Sequence, residues 1–169
     1  VQATPRLAVA LDLSYQRWSQ FENPSTITEV ELDVGQFNDQ VNIPPSAPIS
    51  DPNFADILVP RLGAEYVMPW RKNLIALRAG YAYEPSPAPA QTGDSNFIDN
   101  NKHIASVGGG LELPGLGTIV PLPVAFDAFV QLTVLESRMH VKTSPVDEIG
   151  DFRSSGTVWA AGLTSRWKF

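Results

Sequence analysis

The sequence predicts an all-β chain: an antiparallel transmembrane β-barrel of which about seven strands lie here, forming part of a larger barrel. Three observations carry this. The chain ends in Trp159-Ala-Ala-Gly-Leu-Thr-Ser-Arg-Trp-Lys-Phe169, where aromatic and apolar residues occupy every second position. Six further segments repeat that two-residue alternation. No segment approaches the roughly 18 consecutive apolar residues of a membrane-spanning helix. Alternate side chains of a strand point to opposite faces. A strand with one apolar face and one polar face therefore fits a wall between lipid and a wet lumen.

Taken in order, the alternating segments are Leu7–Tyr15, Thr28–Val34, Arg61–Met68, Ile75–Glu84, Ser106–Leu113, Val124–Val134 and Val158–Phe169. In the last, Trp159, Ala161, Leu163, Ser165, Trp167 and Phe169 form the lipid-facing stripe. Val158, Ala160, Gly162, Thr164, Arg166 and Lys168 form the lumen stripe. Helix caps and 3.6-residue periodicity are scarce. The connections sort by length. Gln36–Ala55, Pro85–Lys102 and Lys142–Ser155 are long and rich in Pro, Asn, Asp and Ser, as expected of extracellular loops. Ser19–Ser25, Pro69–Lys72 and Pro114–Pro123 are shorter, as expected of periplasmic turns. This count places Val1 outside the cell. It also leaves two open sheet edges, which hydrocarbon does not tolerate. Residues 1–169 are therefore expected to be the C-terminal part of a larger barrel, with no second domain.

Composition narrows the partners. The chain of 169 residues carries a net charge of −6 and no basic run, which argues against nucleic acid. Cysteine is absent, which excludes disulfide scaffolds and Cys-based zinc sites. Asp94, Asp99, Asp147, Glu148 and Asp151 lack the spacing of a calcium loop and are expected to be solvated. His103 and His140 fall at strand margins, and no nucleophile motif accompanies them. The reading is a non-enzyme with no cofactor and no metal.

On the lumen parity, Arg61, Arg78, Arg166 and Lys168 stand among Asp12, Glu29, Glu31, Asp33, Glu65, Glu84, Glu112 and Asp127. A salt-bridged polar interior accounts for most of these charges. Arg61 and Arg78, on neighbouring strands, are the candidate exceptions, since Arg suits carboxylate binding. Together with Glu65 and Phe129 they form the expected ligand-contacting set. Gly108-Gly109-Gly110 marks either a bend that opens the wall or a strand thinned for a bulky neighbour. Pro85, Pro87 and Pro89 form either a stiff cover or, with Phe97 and Ile98, an entry mouth.

Several motifs together resemble a known family. Gly63-Ala-Glu-Tyr66 precedes Arg78-Ala-Gly-Tyr-Ala-Tyr83, then Ser86-Pro-Ala-Pro89 and Ile98–His103; Trp18-Ser-Gln-Phe21 lies near the start. This pattern is similar to the C-terminal half of the FadL/TodX outer-membrane transporters for long-chain fatty acids and aromatic hydrocarbons. Asn101-Lys102-His103 departs from the family's Asp-Arg. The resemblance implies a Gram-negative outer membrane, surrounding lipid, a hydrophobic small-molecule ligand and passive uptake. It also implies a barrel of roughly 14 strands closed by an N-terminal half that carries a hatch. A structural or receptor barrel serving as scaffold for a partner complex is the alternative function.

Overall fold

The computed structural model describes residues 2–21, 51–93, 96–115, 122–144 and 147–167. Within these, the strands are β1 (Gln2–Thr4), β2 (Leu7–Gln16), β3 (Ile57–Trp70), β4 (Asn73–Glu84), β5 (Lys102–Leu113), β6 (Val124–His140) and β7 (Phe152–Trp167). They form one antiparallel sheet in strict sequence order. The all-β meander expected from the alternation is thus observed. The sheet is not closed: β1 and β7 each have one neighbour among the described residues.

The strand membership differs from expectation in one respect. Leu7 pairs with Tyr66 and Gln16 with Ile57, so β2 lies directly against β3. No described strand stands between them in the sheet, and Gln16 and Ile57 lie together at one end of it. Ser19 therefore sits beside Asp56, among the long loops, and not at the short-turn end. This reverses the direction expected for β2. Expected strand Thr28–Val34 lies outside the described residues, as do Lys168 and Phe169; the short β1 completes the seven.

Two faces follow from register. The outward face carries Leu11, Leu13, Leu62, Leu77, Val107, Val130, Trp159 and Leu163, all exposed, with Leu163 85% and Leu11 79% accessible. So large a bare apolar surface is incompatible with water and natural against lipid. Trp70 and Trp167 mark one border of this band, at the short-turn end. Tyr83 stands ten residues along β4 from Asn73, the partner of Trp70. At about 3.3 Å per residue and a tilt of about 40°, that span is roughly 25 Å, the height of a lipid-facing band.

The small core lies on the inner face at the long-loop end. Ile57, Val59, Ala82 and Ala88 are buried there, because the loop after β4 folds back over β3 and β4. Ala55 N–H donates to Pro87 O at 2.8 Å. The β6–β7 ladder is continuous except between Leu135 and Arg138, where β6 has one extra residue. This bulge reverses the parity of β6. Val134 and Glu136 project outward, whereas Arg138 and His140 turn inward. Expectation ended this strand at Val134; it runs on to His140 because the bulge interrupts the alternation without ending the pairing.

Candidate lumen site and its covered mouth

Glu65, Arg78, Gly108, Phe129 and Gly162 occupy one row across β3 to β7 on the inner face. Three of the four residues expected to contact ligand thus stand in a single line. Arg61 lies four residues from Glu65 along β3, paired with Ala82.

The charges on this face are engaged with one another. Arg78 Nε donates to Glu65 at 2.5 Å, and Nη1 donates to Asp127 at 2.5 Å. Asp127 also meets Arg166 at 3.5 Å. Arg61 donates to Asp12 at 2.8 Å and to Ser14 Oγ at 2.5 Å. Arg61, Arg78 and Arg166 each face a carboxylate, which keeps this part of the wall polar with its charges paired. These pairs are part-exposed, so solvent screens them and each stabilises only weakly.

The three glycines of β5 explain how this network spans strands. The β5 register is unbroken on both sides, so they form no bulge. A Cβ at Gly110 would stand 2.5 Å from Asp127 Oδ1 and 3.2 Å from Arg78 Nη1. Glycine leaves the path along which Arg78 crosses β5 to reach β6. A Cβ at Gly162 would fall 2.4 Å from the Phe129 ring, so that ring lies over β7. Of the two expectations for the triplet, the thinned strand is what the geometry supports. Below the row, Glu65, Arg78, Glu112, Asp127 and Arg166 line a recess of about 260 Å³.

Above the row, the loop between β4 and β5 is tied to the inner face by buried polar groups. Gln91 N–H donates to His140 Nδ1 at 3.1 Å, which leaves His140 Nε2–H to donate to Ser154 Oγ at 3.2 Å. Ser154 donates to Asn100 Oδ1 at 2.7 Å, and Asn100 Nδ2 donates to the Glu136 and Ser154 carbonyls at 2.6 and 2.9 Å. Gln91, Asn100 and His140 are all buried. Arg138 Nη1 donates to Ala88 O at 2.7 Å and Asp99 O at 3.1 Å. The proline loop is therefore a fixed cover over this part of the mouth. None of these anchors stands out in sequence, since their inward direction depends on the bulge.

Beside the cover, Phe54 bridges Phe97 of this loop (5.4 Å) to Phe21 and Trp18 after β2 (5.9 and 6.3 Å). Asp56 braces that corner: the Tyr15 hydroxyl and the Ser19 N–H, the latter at 2.8 Å, both donate to it. The Tyr15 hydrogen bond, then those of Ser19, hold the Asp56 carboxyl well below its ordinary value, at about 2.

The acidic loop departs from expectation. Asp147 is not solvated. Its side chain and that of Lys142 are each 3% exposed and pair at 2.9 Å, and this pair pushes the Asp147 carboxyl below the usual range. Asp99 pairs with Lys102 at 2.9 Å. Asp94 lies outside the described residues.

The sequence as a whole, residues 1–169, matches the family model described as outer membrane protein transport protein (OMPP1/FadL/TodX). The chain belongs to that family. Its place is the outer membrane of a Gram-negative bacterium, and its sheet is part of a β-barrel wall. A curated relative, alkane uptake protein A of Marinobacter nauticus, is 34% identical over 97 residues. That stretch is 57% of this chain and 19% of the relative, so the match spans about a fifth of the relative's length.

Proposed function

We infer that this chain forms one side of a barrel that takes up hydrophobic small molecules, hydrocarbons or fatty acids, without an energy source of its own. The observation that carries this is the mouth. A rigid cover narrows it, and the aromatic group Trp18, Phe21, Phe54 and Phe97 stands at the edge of the cover. Aromatic rings offer apolar contact to a chain leaving water. The relative's name, alkane uptake, agrees with this class of cargo. Phe129 presents its ring further down the inner face, and its half-exposed position suits passage of an apolar chain. Arg61, Arg78 and Glu65 line the same route with their charges paired, so they meet a carboxylate only by exchanging partners.

The long-loop end faces outside the cell in this reading, in keeping with the rule for barrels. Open edges at β1 and β7 require further strands, which we assign to an N-terminal half of the same gene product. Each unpaired backbone group in hydrocarbon costs several kcal/mol, so closure is obligatory.

Uptake of a labelled long-chain alkane and a labelled fatty acid should be compared in cells with and without the whole gene product. Phe54→Ala and Phe97→Ala should lower the rate about fivefold or more at limiting cargo. Uptake that is unchanged when the gene is deleted, together with co-purification of a stoichiometric partner protein, would instead favour the scaffold function. Labelling of cysteines placed at Gly93 and Lys72 in intact cells checks orientation: Gly93 should react and Lys72 should not.

A further inference from the structure

The outward face is apolar over most of its height, but at the long-loop border it carries a connected polar group. Tyr81 and His103 meet at 2.6 Å through the phenol and Nδ1. His103 Nε2 lies 2.7 Å from Glu136 Oε1, and Asn101 Nδ2 donates to Glu136 Oε2 at 2.9 Å. Since a carboxylate only accepts, Nε2 is the donor and Nδ1 accepts from the Tyr81 hydroxyl. The Tyr83 ring lies 5.1 Å from the His103 ring. This arrangement spends its donors internally and leaves acceptor capacity on Glu136 and on the Tyr81 oxygen.

Three further features adjoin it. A polar recess of about 250 Å³ opens at the bulge, lined by Ser86, Asn101, Glu136, Ser137 and Arg138. Arg153, in register with Met139 on the outward face, is exposed and makes no ion pair among the described residues. Towards the membrane centre, Gly109 and Ala128 form the floor of an apolar hollow of about 790 Å³ between Leu77, Val107, Val130 and Leu163. Gly109 lies six residues along β5 from His103. At about 3.3 Å per residue on a tilted strand this is roughly 15 Å, the depth of one leaflet.

We propose that this border is a docking site for a phosphorylated glycolipid of the surrounding leaflet. The sugar hydroxyls donate to Glu136 and Tyr81 over the Tyr83 ring. The phosphate meets Arg153, which suits that anion. One acyl chain descends into the hollow over Gly109 and Ala128. The charge pattern selects this occupant. A plain phospholipid supplies the phosphate but not the hydroxyls, and a hydrocarbon supplies neither. The site lies outside the barrel and needs the outward orientation inferred above, which the Gly93 and Lys72 labels test separately; it does not depend on the uptake function.

Native mass spectrometry of the detergent-purified whole gene product tests this with purified lipid A, lipid A stripped of phosphate, and phosphatidylglycerol. Lipid A should be retained about tenfold better than either of the other two. Arg153→Ala should lower lipid A retention by about fivefold while leaving the stripped lipid unaffected. Glu136→Ala should abolish the preference for lipid A over phosphatidylglycerol. Equal retention of all three lipids by the unmodified protein would overturn the proposal, and that comparison needs no variant to fold. Full retention of lipid A by Arg153→Ala and Glu136→Ala would overturn it as well.

Discussion

Arg78 and Asp127 form an ion pair across an intervening strand, 2.5 Å apart, over a residue that has no side chain. Register places Arg78 opposite Gly108, and Gly110 opposite Asp127. The link therefore runs diagonally, from β4 over β5 to β6, and ties three strands with one guanidinium.

That relation predicts that Gly110→Val should cost more than Gly109→Val, although both sit mid-strand. The first places a Cβ within 2.5 Å of a carboxylate, while the second meets only Ala76 O at 3.8 Å. Asp127→Asn should lower stability by about 1 kcal/mol, discounted for exposure. The double variant Asp127→Asn with Arg78→Met should recover part of it. Urea unfolding in lipid vesicles measures all four; equal midpoints for Gly110→Val and Gly109→Val would contradict the crossing path.

Phe129 and Gly162 make the next case. Gly162→Leu should push the Phe129 ring off β7 into the lumen, because the ring occupies the space of any Cβ. Cargo uptake should fall about threefold or more, and Phe129→Ala in the same background should restore it. Uptake assays on the single and double variants report this; a Gly162→Leu rate that matches the parent would place the ring elsewhere.

Asp56 sets an acid limit on the aromatic corner. Its folded value of about 2 lies below that of an unfolded carboxyl. The stability it contributes is present in full above about pH 4. It is lost as pH falls from there through about 2, because protonation removes the acceptor of Tyr15 and Ser19. Hydrogen exchange at the Ser19 amide should rise across that window. Asp56→Asn should show fast exchange already at neutral pH and no further change on acidification.

The parity of β7 gives the simplest check. Leu163, 85% exposed, should be reached by an apolar relaxation agent and Thr164 by a water-soluble one when each carries a spin label. The reverse pattern would mean that the sheet is turned inside out.

The two-residue alternation made the six long strands legible in sequence, because a membrane wall repeats one rule along its whole length. Register also followed in β7, where Arg166 reaches Asp127 as lumen parity requires. The direction of β2 was not legible. Thr28–Val34 has the same alternation as a wall strand, and nothing local says that Gln16 and Ile57 are neighbours. The site was legible in part. Glu65, Arg78 and Phe129 share a row, as parity allows, but the Asp127 that engages Arg78 is found only through the glycine path over β5. His103 and His140 looked alike in sequence as margin residues. One faces lipid and the other is buried in the mouth, a distinction made by the extra residue in β6.

That extra residue decides what a deletion in β6 would do. Removal of Ser137 would restore unbroken alternation and leave Arg138 and His140 on the inner face, opposite Ser154 and Phe152. The cover would keep its histidine. A one-residue change inside a strand ordinarily turns every side chain beyond it to the other face. Here one residue can be lost without that exchange, so homologues one residue shorter at this point can close their mouths in the same way.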